Sequence, residues 1–408
     1  MRNVKIDSKL AAAMVLGLLI SAAGMSASAQ EPTAKQPAAV QAAAFEPTAG
    51  QLNAYKAYTH AEYLKKTAKQ AGGTNKLLHT RTLPTEGADP VVTPALDHLY
   101  TKAVIDLTNG PVYLEMPKVE GRYFSMEIHD QEHYATYYKV RPSGLFVFVN
   151  HTDTTKFPGD VTVIKDRGYY PHVFIRTQLF NEADLPTVHA IQDKIRLTGV
   201  VGTIAFKNAI AWVLATHEMY PQNAHVLDDQ LGYNAETQAK MFKYIADYSL
   251  TMKNNAGMFE AIDDPAGSND PVVRAAGILG HLGLPVAAAI YGGTFVDCDG
   301  KPLNGDKDFT ITKNYKPEVS EFWSVTRYSG VTRNTIAGHN DIFNAYNTKP
   351  DANGNITITF SPNEPKNLPV GHYWMYVNAG EPYYFISRYY GPTVDADTLA
   401  KHNDYCRK

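Results

Sequence analysis

The chain has 408 residues, 44% of them hydrophobic and 19% charged, with 38 Lys and Arg against 41 Asp and Glu. That length buries a sizeable core and suits more than one domain. A formal net charge of -3 offers neither the basic surface a nucleic acid needs nor a long acidic tail, so nucleic acid is excluded as an expected partner.

Arg2, Lys5 and Lys9 precede an apolar run over residues 10–24, and Ala27-Ser28-Ala29 stands before Gln30. Charged, apolar and small-residue parts in that order read as a secretory signal over residues 1–29. The run is shorter than the roughly 20 apolar residues of a membrane span, and no later stretch approaches that length. We therefore expect an exported chain, periplasmic or secreted, without a membrane span. Residues 30–50 are rich in Ala, Pro and Gln and read as a flexible leader, with the folded body beginning near Leu52. The two cysteines, Cys298 and Cys406, are too few for a four-thiolate zinc site. In an oxidising compartment they either bridge or stand as unrelated thiols.

Leu52, Tyr55, Tyr58 and Leu64 mark a helix that stops at Gly72-Gly73. Between residues 99 and 180 come short β-branched and aromatic segments, around 103–107, 111–116, 123–128, 145–149, 161–164 and 172–175, parted by Gly, Pro, Asn and Asp. Asp184 with Pro186 then opens a helical stretch through Val188, Ile191, Ile195 and Leu197. Met241, Phe242, Ile245 and Tyr248 form a second stripe, and Asp270-Pro271 opens a third segment through Val273 and Ile278 toward residues 285–291. After Gly292-Gly293 β signals return at 309–311, 322–328, 355–360, 373–377 and 383–389, with Asp351 to Gly354 reading as a hairpin turn.

The run Thr93-Pro94-Ala95-Leu96-Asp97-His98-Leu99-Tyr100, then Ile105-Asp106-Leu107, Gly121-Arg122-Tyr123-Phe124, Arg176-Thr177 and His189-Ala190-Ile191-Gln192-Asp193, resembles the domain of unknown function DUF1254. Phe322-Trp323-Ser324-Val325-Thr326, Asn353-Gly354-Asn355-Ile356-Thr357-Ile358, Asn367-Leu368-Pro369 and Arg388-Tyr389-Tyr390-Gly391-Pro392 resemble its companion, DUF1214. The resemblance implies an α+β multi-domain protein. Residues 51–183 would be a helix plus β-rich DUF1254-like domain, 184–292 a helical region, and 293–408 a DUF1214-like, jelly-roll-like β-sandwich. Where the family tends to read Asn-Arg-Asp-Thr-Leu-Tyr, this chain keeps Asp97 and Tyr100 and departs at Ala95, Leu96 and His98, so the role of that Asn and Thr is not carried over. The resemblance names no activity.

Glu127, His129, Gln131 and His133 fall on one face if the segment stays extended, with Met126 and Ile128 on the other. Two imidazoles and a carboxylate suit a divalent metal with open positions, making Glu127, His129 and His133 the candidate ligands. The competing reading is a solvated strand face running into a turn. His217-Glu218 begins like a zincin helix, but the second His would fall at Pro221, which rejects that motif. His217 and His225 are left as a site pair or a helix-end surface pair. Asp97, Tyr100 and Arg122 are candidate catalytic residues, Arg122 by bidentate recognition of a carboxylate; ordinary turn and salt-bridge chemistry is the rival. The 26 tyrosines offer flat surface for sugars or simple packing.

These residues lead to an exported protein acting on a small polar or carbohydrate-like molecule, with a divalent metal as the cofactor it would use. The alternative is a non-catalytic envelope or carbohydrate-binding protein. The oligomeric state is open.

Overall fold

The computed structural model describes residues 45–84, 93–204, 225–226, 234–336 and 338–406. The expected signal segment, most of the expected leader, and His217 lie outside these residues. Helix α1 (Ala49–Ala71) opens with Thr48 accepting from the Gln51 amide and closes on Gly72 at φ 82°. It therefore starts slightly before the expected Leu52, and Phe45 already packs edge-on against Tyr244.

In chain order the strands are β1 (Leu78–His79), β2 (His98–Val104), β3 (Val112–Met116), β4 (Phe124–His129), β5 (Ala135–Val140), β6 (Gly144–Asn150), β7 (Thr162–Asp166) and β8 (His172–Gln178). Helix α2 (Leu185–Gln192), β9 (Arg196–Thr198), α3 (Ala235–Ser249), α4 (Pro271–Ala276) and β10 (Ala289–Thr294) follow. Then come β11 (Phe309–Asn314), β12 (Val319–Ser329), β13 (Ile342–Asn344), β14 (Asn355–Ser361), β15 (His372–Tyr376), β16 (Tyr383–Pro392) and α5 (Ala396–Ala400). The protein is β-rich. Among the described residues no helix is long and apolar enough to cross a membrane.

Two sheets, β1-β2-β8-β4-β5 and β7-β6-β3-β9, pack around Ile105, Leu114, Phe124, Met126, Phe146, Phe148, Val173 and Ile175. Two more, β10-β16-β12-β13 and β11-β14-β15, enclose Trp323, Val325, Ile358, Phe360, Met375 and Phe385. Helices α1, α3 and α4 share a smaller core of Leu52, Tyr55, Met241, Ile245 and Ile278. A layer containing Tyr123, Phe322 and Tyr390 joins the two sheet pairs.

The period-3.6 stripes at 241–248 and 271–278 are helices as expected, and Asp270 caps the Val272 amide. Three readings are corrected. Helix α2 ends at Gln192, and Leu197 belongs to β9, where it faces Leu114; apolar residues spaced for a helix also suit a short strand that buries alternate positions. Gly292 and Gly293 lie inside β10 rather than before the β region. The Asp351 to Gly354 turn forms, but it joins no hairpin: β13 pairs with β12, while β14 pairs with β11 and β15.

Candidate metal centre

Every residue of β4 and β8 is buried, so both faces of the first sheet are covered. The face carrying Phe124, Met126, Ile128, Val173 and Ile175 fills the apolar core. The opposite face carries Ser125, Glu127 and His129 of β4, His172, Phe174 and Arg176 of β8, and His98, Tyr100 and Lys102 of β2, aligned by the strand register. Apolar cover would leave these groups without partners at a cost of several kcal/mol (~1–3 per neutral group). Helix α1 answers with a polar stripe: Lys56, His60 and Tyr63 stand at i, i+4 and i+7. Lys56 meets Glu132 at 3.4 Å, His60 Nε2 reaches the Asp130 carbonyl at 3.1 Å, and Lys102 donates to the Tyr63 hydroxyl at 3.1 Å.

Strand β4 ends at His129, so the four-residue face expected from strict alternation holds for Glu127 and His129 only. Beyond it the Asp130 carboxylate accepts the amides of Glu132 and Tyr134, and His133 sits at φ 65°. That turn brings the His133 ring to 4.9 Å from His129. Gln131 is turned away, accepting from the Tyr169 and Tyr170 amides. From α1 comes His60, 4.7 Å from the His133 ring, and from a segment 149 residues beyond His133 comes Leu282, whose amide bonds to His133 Nε2 at 3.0 Å. His281 stands beside it, 5.9 Å from His133 and stacked at 4.4 Å on Tyr63.

His60, His133 and His281 thus converge, with one ring nitrogen from each within 4.8 Å of the others. A tetrahedral ion with bonds of about 2.1 Å would draw its donors to roughly 3.4 Å, so the cluster has to tighten on binding. The hydrogen bonds fix the tautomers. A carbonyl only accepts, so His60 carries its proton on Nε2 and Nδ1 is a bare lone pair with no partner among the described residues. His129 likewise donates from Nε2 to the Glu127 carboxylate at 3.0 Å, and its Nδ1 has no hydrogen-bond partner among the described residues. An imidazole fixed through its far nitrogen by a carbonyl or carboxylate is the usual state of a metal ligand. His133 is the reverse: Nε2 accepts from Leu282, so the neutral ring holds its proton on Nδ1. His133 can ligate only if the Leu282 amide lets go. His281 and Leu282 are both at positive φ, 32° and 53°, a strained backbone of the kind found at ligand clamps.

Burial holds the pKa of His60, His133 and His172 well below the ordinary 6.5, and neighbouring imidazoles and lysines add to it. His281 is pulled down to about 3 by burial, then by Lys102, His129 and Lys66. Neutral imidazoles are what a metal requires.

Glu127 is not presented to this cluster as a free carboxylate. Arg176 holds Oε2 at 2.8 Å, and His129 takes Oε1. His225 meets Glu132 at 2.8 Å. Of the candidate catalytic residues, Tyr100 lies on the same polar sheet face, while Asp97 and Arg122 lie elsewhere. Asp97, fully buried, accepts from Ser324 at 2.7 Å, Tyr346 at 3.2 Å and Asn344 at 3.3 Å, which ties the first sheet pair to the second. Its pKa is raised, burial outweighing those donors. Arg122 binds the chain's own Asp184 through two contacts, at 2.7 and 3.0 Å. It lines a cleft of about 330 Å³ with Arg141, Phe180, Phe322 and Tyr346. Tyr100 packs on Phe174 at 4.8 Å. His60, His172 and His281 were not singled out from the sequence; only His60 had a local signal, the Lys56, His60, Tyr63 spacing on α1.

His98 forms a separate feature. Its ring lies among Tyr100, Tyr123, Phe322 and Tyr390 at 5.2–6.3 Å, with no hydrogen-bond partner on either nitrogen among the described residues. Burial, then Arg176 and Arg388, hold its pKa well below 6.5. Above 6.5 both folded and unfolded chains are neutral here. Below it the unfolded chain binds a proton that the native site refuses, so His98 by itself adds a fall in stability of about 1.4 kcal/mol per pH unit to that of the other buried histidines. At pH 5 this amounts to roughly 2 kcal/mol. His98→Phe, apolar in an aromatic box, is expected to remove that slope. Urea midpoints at pH 7 and pH 5 measure it, and an unchanged slope would contradict the assignment.

Together these observations define a class: a β-rich protein of two sheet pairs, with a buried histidine cluster between the first pair and its covering helix. The chain belongs to the proteins that pair the domains DUF1254, matched over residues 74–199, and DUF1214, matched over 288–394, both described as protein of unknown function. No curated protein sequence matches it. Among solved structures, the VPA0106 protein from Vibrio parahaemolyticus is similar over 88% of this chain and 97% of its own, with a TM-score of 0.64 at 20% identity, which shows a shared fold. A putative uncharacterized protein from Burkholderia cenocepacia is similar over 84% of this chain and 85% of its own, at 11% identity and a TM-score of 0.48.

Proposed function

We propose that this is an exported, metal-dependent enzyme acting on a small polar or carbohydrate-like molecule, with a divalent transition metal held by His60 and His281 and completed by His133. The observation that carries this reading is the convergence of three imidazoles within 4.8 Å, one of them with a bare, buried Nδ1. Three nitrogen donors leave a coordination position for water or substrate, the arrangement of catalytic rather than closed structural sites. Export finds support in the disulfide between Cys298 and Cys406, a bond that persists in oxidising compartments. The jelly-roll-like assignment of residues 293–408 is supported by two sheets around one core. A second reading, a sugar-binding or envelope-interaction protein, draws on the cleft walled by Tyr123, Phe180, Phe322 and Tyr346.

The test is elemental analysis of untagged protein purified from the periplasm without chelator, beside the variant His60→Ala. We expect close to one transition-metal ion per chain, retained through dialysis, and loss of most of it in the variant while the thermal transition persists. A chain that stays metal-free after reloading with zinc, cobalt or manganese would discard the reading and favour the cleft.

A further inference from the structure

The cluster's charged surroundings point to the class of substrate. Carboxylates near the histidines are already matched: Glu127 with Arg176, and Glu132 with Lys56 and His225. Arg176 is also engaged with the Leu282 carbonyl at 2.7 Å. Lys102 differs. Among the described residues no carboxylate stands within ion-pair distance of its Nζ, and its one hydrogen-bond partner is the Tyr63 hydroxyl. The aromatic faces of Phe174, Tyr63 and Tyr100 flank it at 5.3, 5.7 and 5.8 Å. An ammonium has three donors, and among the described residues only one of them is taken.

Position makes this cation relevant. Lys102 shares the polar face of the sheet with His172, two residues along β2 from the partner of His172. Tyr63, which holds Lys102 through its hydroxyl, lays its ring on His281. Lys102, Tyr63 and His281 are each partly exposed, whereas His60 and His133 behind them are buried. The three therefore form the solvent-side rim of the cluster.

We propose that the substrate is a small carboxylate, bridging a metal at the histidines through one oxygen and Lys102, with Tyr63, through the other. This rests on the metal reading above. The Phe174 and Tyr100 rings beside Lys102 suit an apolar or aromatic body on that acid.

Cobalt-loaded protein, titrated with acetate or benzoate and followed by its visible absorption, tests the idea. Both acids should perturb the spectrum, with acetamide and glucose silent at the same concentrations. Lys102→Met should still take up one cobalt but bind the acids at least ~10-fold more weakly, the order of one charge-assisted contact, and Lys102→Arg should recover most of that loss. Equal binding by Lys102→Met, an equal response to acetamide, or a response to inorganic phosphate without one to acetate would overturn the assignment while leaving the metal intact. Failure of the unaltered protein to take up cobalt would instead remove the metal reading, and this inference with it.

Discussion

Glu127→Ala is expected to cost about 3–5 kcal/mol of stability, the range for removing one partner of a buried ion pair. Glu127 and Arg176 are 0% and 5% exposed. Without the carboxylate, the guanidinium keeps, among the described residues, the Leu282 carbonyl and the face of Phe174, 4.6 Å away, as compensation. The double variant Glu127→Leu with Arg176→Met removes both charges and should recover most of the loss, because the penalty belongs to the orphaned charge rather than to the pair. Urea unfolding of the wild type, Glu127→Ala and the double variant measures this directly. A loss below about 1 kcal/mol in Glu127→Ala would mean that water reaches the guanidinium. The double variant also separates roles. It frees His129 Nε2 from its carboxylate, and a supporting group of that kind is worth about 10–100-fold in metal affinity where its imidazole ligates. Unchanged affinity in a folded double variant would leave the metal to His60, His133 and His281 alone.

The parts of this site that could be read along the chain are those governed by local periodicity. Glu127 and His129 share a face because strand side chains alternate, and the β-branched and aromatic runs located most of the strands. His133 belongs to the cluster for a different reason. Asp130 gathers the amides of Glu132 and Tyr134 and folds the chain back, a turn that alternation cannot describe. On α1 the residues Leu52, Tyr55, Tyr58 and Leu64 identified a helix but concealed the second stripe, since Lys56, His60 and Tyr63 look solvated until a polar sheet face is known to lie under them. His281 arrives from far along the chain and carries no local mark. Arg122 has a partner that its own segment does not reveal: its guanidinium is met by Asp184, 62 residues on in the same chain.

Removing the bridge between Cys298 and Cys406 is the other large effect expected. The cysteines are 108 residues apart, and closing a loop of that size lowers the entropy of the unfolded chain by an amount worth on the order of 5 kcal/mol in the chain-entropy model. The bridge also anchors the C-terminal tail. There Tyr405 contacts Ser387 at 2.9 Å, and Asn403 accepts from Tyr389 at 3.0 Å, so α5 and the end of the chain are held on the β10-β16-β12-β13 sheet. The variants Cys298→Ser, Cys406→Ser and the double substitution should lose the same stability, because each opens the same loop. A reductant should bring the unaltered protein to that level and leave the variants where they are. Thiol counting under denaturing conditions, with and without reductant, gives an independent reading: no free thiol before reduction and two after. Two free thiols in protein taken from the periplasm would show the bridge absent, and would withdraw with it the support the bridge lends to export. Loss of the bridge should leave the histidine cluster unaffected, since α1, β4 and the turn at His281 lie outside the loop it closes. Metal uptake by the double variant at a temperature where it is folded checks that separation.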